Sequence, residues 1–151
     1  MENYALMDTL NTLIETSRDG DKGFTACADD AKDVALRTYF TRCATRCRES
    51  VQTLDRIVKH YGGTTDQAGS VAGSINRAWL NLRAATSSKS DLAVLEECER
   101  AEDAALTAYR RALEQDLPAD VRPAIKAQCD GAQQNHDRVR AMRGERIKLA
   151  A

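Results

Sequence analysis

Helix breakers are scarce in this chain. Proline occurs only at Pro118 and Pro123, and glycine only at positions 20, 23, 62, 63, 69, 73, 131 and 144. The stretches 24–61 and 74–117 contain neither residue. They are rich in Ala, Leu, Arg, Glu and Gln, which lose little side-chain freedom in a helix. No alternating β-branched run competes, so the expected fold class is all-α.

Apolar residues at spacings of three and four mark where each helix turns inward. Leu6, Leu10, Leu13, Ser17, Gly20 and Phe24 trace one stripe over about 3–31, with Asp21 on the same face. The "DGDKG" inside that span could break the helix. After a tight turn near Asp33, a second stripe (Leu36, Phe40, Cys43, Cys47, Val51, Leu54, Val58) runs over 34–61, with Gly62 as a C-cap. A shorter helix is expected over 70–86, carrying Val71, Ile75, Trp79 and Leu82. "SSKSD" then supplies an N-cap for a helix over 91–116. Asp120 is expected to cap the last helix, over 120–146, in which Val121, Ile125, Cys129, Ala132, His136 and Val139 point inward.

Short turns make helices one and two antiparallel, and likewise the last two long helices. The 70–86 helix spans roughly 24 Å, enough to carry the chain back along the bundle. A four-helix bundle ordered up-down-down-up follows, with a short extra helix in the crossover and 1–151 as a single domain.

Composition narrows the function. With 22 basic and 23 acidic side chains the formal charge is −1, so no global field recruits nucleic acid or an anionic membrane. No apolar run approaches the roughly 20 residues needed to span a bilayer. "MENYALMDTLNTLIE" does not read as a signal peptide, so a cytoplasmic location is the default. Five cysteines without CxxC spacing are read as free thiols in a reducing compartment. Phosphate loops, nucleophile elbows and zinc-protease helices have no match.

Four segments, "LIETSRDGDKGF", "GSVAGSINRAW", "ECERAEDAALTAYRRALEQDLP" and "NHDRVRAMR", resemble a bacterial ferritin-like family, domain of unknown function 2383. The resemblance covers nearly the whole chain and implies a four-helix bundle. It implies no activity, because the family has none settled and fold alone confers none. Ferritin-like di-iron enzymes draw a Glu from each of two helices and Glu-x-x-His from each of two others. The histidines here are His60 and His136, preceded at three residues by Ile57 and Gln133. The full di-iron set is therefore absent.

Acids nevertheless interrupt the third long stripe. At about 100° per residue, Glu99 and Glu102 fall on the face marked by Leu95, Leu106, Tyr109 and Leu113. Folding about residue 117 sets Glu99 opposite His136, and folding about residue 32 brings Asp21 near Cys43 and Cys47. Glu99, Glu102 and His136, extended by Asp21, Cys43 and Cys47, form one candidate constellation. Carboxylates with an imidazole would suit a single iron, manganese or zinc ion. The same groups could instead form a metal-free polar layer that fixes helix register in a structural or interaction module. A redox role for Cys43 or Cys47 and a ligand pocket are further readings. A homodimer, with Trp79 presented to a second subunit, fits the pattern.

Overall fold

A computed structural model describes residues 1–65 and 90–150. Four long helices account for most of them: α1 (Asn3–Asp30), α2 (Val34–His60), α3 (Asp91–Glu114) and α4 (Arg122–Ala150). No strand occurs among the described residues. The helix expected over 70–86, with Trp79, lies outside them. No described helix is long and apolar enough to cross a membrane.

The helices end where local chemistry stops them. α1 runs unbroken through Gly20 and Gly23, both buried. Each glycine costs a helix about 1 kcal/mol relative to alanine, which packing of the long apolar stripe offsets. Asp33 caps α2 by accepting the Ala35 N–H at 2.8 Å, and Ser90 caps α3 by accepting from Ala93 at 3.2 Å. At the other end of α2, Gly62 N–H reaches the Lys59 carbonyl and Gly63 N–H the Val58 carbonyl, both at 3.0 Å. Those paired bonds form a Schellman stop. The Arg122 guanidinium donates to the last carbonyls of the third helix, Leu113 at 2.9 Å and Gln115 at 2.6 Å. Asp120, expected as a cap, accepts the Tyr61 hydroxyl at 2.7 Å, and α4 starts at Arg122 with Pro123 in its first turn.

Contacts at the two ends give the helix directions. At one end the Asp91 carboxylate accepts the N–H groups of Lys32 and Asp33, each at 3.1 Å. The Arg146 guanidinium joins them, 2.6 Å from Asp33. The starts of α2 and α3 and the end of α4 therefore meet. At the opposite end Thr9 donates to Gln115 at 2.9 Å, beside the Tyr61–Asp120 bond. α2 thus parallels α3, while α1 and α4 run the other way. α1 packs closely on α2 and α3 on α4; α1 also meets α3, and α2 approaches α4 least. Every neighbouring pair is antiparallel, and the two parallel pairs, α2 with α3 and α1 with α4, lie on the diagonals.

The core is made of the expected stripes. Leu10, Leu13, Ile14, Phe40, Leu54, Val58, Leu95 and Ile125 are fully buried, and Phe24 stacks on Phe40 at 6.2 Å between ring centres. Gly62 has φ +76°, which side chains other than glycine and asparagine adopt at a cost. Gly62→Ala should lower stability by about 1 kcal/mol and Gly62→Asn by less, read as shifts of the urea midpoint. An unchanged midpoint for Gly62→Ala would refute the account of this stop.

Candidate functional site

Glu99 and Glu102 both face inward, but not to the same place. Three residues turn a helix by about 300°, so the two carboxyls diverge by roughly one sixth of a turn. Glu99 falls in the groove between α3 and α4, and Asp103, four residues on, lies directly along that groove. There the His136 Nε2 stands 2.8 Å from Asp103 Oδ1 and 3.9 Å from Glu99 Oε1. Its Nδ1 lies 3.4 Å from Asp137 Oδ1. The Arg143 Nε sits 2.8 Å from Glu99 Oε2 as an ion pair, although this buried Nε makes no hydrogen bond, and the Arg140 Nε lies 4.0 Å from Glu99 Oε1. Each anionic group is thus matched by a cationic or hydrogen-bonding partner. The Asp137 carboxyl is held below its ordinary range, first by the Gln133 amide and then by His136.

Glu102 points instead into the bundle and is only 4% exposed. The Cys98 thiol donates to its Oε1 at 3.7 Å, while Oε2 is buried with no hydrogen-bond partner. Burial pushes the carboxyl from 4.5 up to about 8. The Cys98 bond opposes that rise, the Asp103 and Glu99 charges add to it, and Arg46 opposes it.

Thiols surround this carboxyl. Burial raises Cys27 and Cys43 to about 12 each, and pushes Cys47 and Cys98 up as well, with the Glu102 charge contributing to every one. They remain protonated at physiological pH, unlike the thiolates that attack electrophiles or bind soft metals. Asp21 is turned to the outside of the α1–α2 pair, where it meets Arg48 at 2.6 Å and accepts from Thr25 at 3.3 Å.

The six candidates therefore divide. Glu99 and His136 share the α3–α4 groove; Glu102 lies deeper, within electrostatic reach of Cys43 and Cys47; Asp21 is committed to Arg48. Among the described residues, no three His, Cys, Asp or Glu side chains are grouped so as to hold a metal ion. Two participants were not singled out from the sequence. Asp103 lies on a largely exposed face, and Arg143 belongs to an arginine run that reads as solvated. The i,i+4 relation of Asp103 to Glu99 was the available signal.

A cavity of about 310 Å³ opens beside Glu102, in the seam between the two hairpins. Small residues on its walls, including Gly20, Ala105, Ala124 and Gly131, leave the space. On one side the Tyr109 hydroxyl donates to Gln128 at 3.1 Å, whose amide donates in turn to the Ser50 carbonyl at 3.4 Å. Burial raises Tyr109 to about 12. Arg46 crosses from α2 to α4, bonding Asn135 at 3.3 Å. It lies so close over Gly131 that any Cβ there would displace its guanidinium.

The sequence profile of the family described as a domain of unknown function (DUF2383) matches residues 5–115, and the chain belongs to that family. The comparison with curated proteins finds no match.

The raised Glu102 carboxyl has a consequence for stability. Between its unfolded value near 4.5 and its folded value of about 8, the native state binds more protons than the unfolded state. Stability therefore falls as pH rises through that window and levels off above it. Glu102→Gln should match the parent at pH 4 and exceed it by up to about 4 kcal/mol at pH 9. Urea titrations across pH measure this, and identical pH profiles for the two proteins would contradict it.

Proposed function

Starting from membership in a family without an assigned activity, we propose that this chain is a ferritin-like, up-down-down-up bundle acting as a non-enzymatic structural or interaction module. A charge-paired polar layer replaces the metal layer of the di-iron enzymes. The observation that carries this reading is the Arg143 guanidinium on Glu99, 2.8 Å from Oε2. A permanently cationic group takes the electrostatic place a metal ion would fill, and Asp103 takes the imidazole nitrogen that would ligate it. The missing Glu-x-x-His motifs, with Ile57 and Gln133 at the glutamate positions, support the same view.

Such a layer gives little net stability, because desolvation of the charges offsets their attraction. Its value lies in register, since a slip of either helix would leave Glu99 or His136 buried without a partner. The reading extends to a cytoplasmic location, where free thiols suit a reducing medium. It extends also to a homodimer, without nucleic-acid or membrane partners.

Elemental analysis of protein purified without a tag tests the main point. Iron, manganese and zinc should all be far below one equivalent per chain. One equivalent of any of them, lost in Glu99→Ala and His136→Ala variants, would overturn the reading in favour of a mononuclear metal site. A Glu99/Arg143 double-mutant cycle should give a coupling of about 1 kcal/mol, and a coupling of zero would remove the pairing from the argument.

A further inference from the structure

Of the neighbouring helices, α2 and α4 approach each other least, and long polar side chains span the gap between them. At one level the Arg46 guanidinium and the Tyr39 hydroxyl, both from α2, bond the Asn135 side chain on α4 at 3.3 Å. Two turns away, roughly 10 Å along α4, the Gln128 amide reaches back to the Ser50 carbonyl at 3.4 Å. Between these bridges α4 presents Gly131 and Ala132. The bridges hold the two helices apart, and behind them lies the cavity of about 310 Å³, floored by Gly20 and Phe24 of α1 and by Ala105 and Tyr109 of α3.

We propose that this cavity is a binding site for a small uncharged molecule, largely apolar and of about the bulk of two fused aromatic rings, which enters through the seam between α2 and α4.

The walls disfavour ions of either sign. Arg46 and Glu49 are both exposed and carry opposite charges, so the mouth has no net charge. Further in, Glu102 keeps its proton below about 8, and its unpartnered oxygen is sealed from the space, so it offers a guest no counter-charge. Burial keeps the Cys47 thiol and the Tyr109 hydroxyl neutral as well. An ion would leave water for a wall that cannot compensate its charge, which is costly.

The polar groups of the wall are already engaged within the protein. Tyr109 donates to Gln128 at 3.1 Å, Gln128 donates to Ser50, and the Thr16 hydroxyl donates to the Thr12 carbonyl at 2.8 Å. Water in the space finds few free donors there, and Phe24, Ala105, Ala124, Ala127 and Ala132 offer apolar surface. Replacing such loosely held water by an apolar body gains affinity. Volume sets the size: an apolar cavity of about 150 Å³ accepts benzene, so this one suits a guest of about twice that bulk. The proposal is independent of the polar-layer reading, because the cavity is lined by none of Glu99, Asp103, His136 and Arg143.

Calorimetric titration of the full chain near pH 6 with 2-naphthalenemethanol, and with 2-naphthalenemethylamine and 2-naphthoate as size-matched cation and anion, tests it. The alcohol should bind at one site, at least tenfold more tightly than either ion, a ranking read on the unaltered chain. Ala132→Leu from α4 and Ala105→Leu from α3 each fill the space and should weaken the alcohol at least tenfold. Ala141→Leu, on the exposed face of α4, should leave its binding unchanged. Equal or tighter binding of either ion, no binding of any probe, or alcohol binding indifferent to both filling substitutions would each overturn the proposal.

Discussion

The carboxylate of Asp91 holds together one end of the molecule. It accepts two backbone N–H groups from the turn between α1 and α2, and Arg146 from the last helix closes over it and Asp33. Three helix ends are fixed to one another there. Four rods with apolar stripes could otherwise slide by a turn, exchanging one leucine contact for another at small cost. Because that end is fixed, the height of every interior side chain follows from its number in the sequence. The meeting of Glu99 with His136, and of Glu102 with the seam, is a consequence of this register.

The interior pays for its polarity in two different ways. In the α3–α4 groove, acids and bases neutralise one another close to water, where screening keeps both gain and cost small. One layer deeper, Glu102 has a thiol on one oxygen and nothing on the other. Its response is to hold a proton, which removes the charge but not the need for a partner. A chain selected for stability alone would place leucine there.

Much of this was legible in the sequence because a helix repeats so regularly. Counting along the stripes locates the long helices, and folding about residue 117 places Glu99 across from His136. The same counting groups Glu102 with Glu99, because a stripe is broad enough to contain both. Only the third dimension separates them: the sixth of a turn between them sends one to a groove and the other to the core. Long side chains escape the method more thoroughly. Arg143 lies two turns beyond His136 along α4, yet its flexible stem brings the guanidinium to Glu99. Arg48 likewise reaches Asp21 and draws it out of the constellation. The cavity had no signal of its own, since alanines and glycines on three separate helices become a void only once those helices are assembled. Helix one settled the other way, because Gly20 and Gly23 are flanked by enough buried contacts to carry the rod through them.

The buried thiols turn the bundle into its own recorder of breathing. Cys27, Cys43 and Cys98 come from three different helices and are sealed from solvent with their protons on. An alkylating reagent can modify any of them only during a moment when its helix lifts away from the others. The rate at which each sulfur is labelled would then rank the helices by how readily they part, with no probe added to the chain.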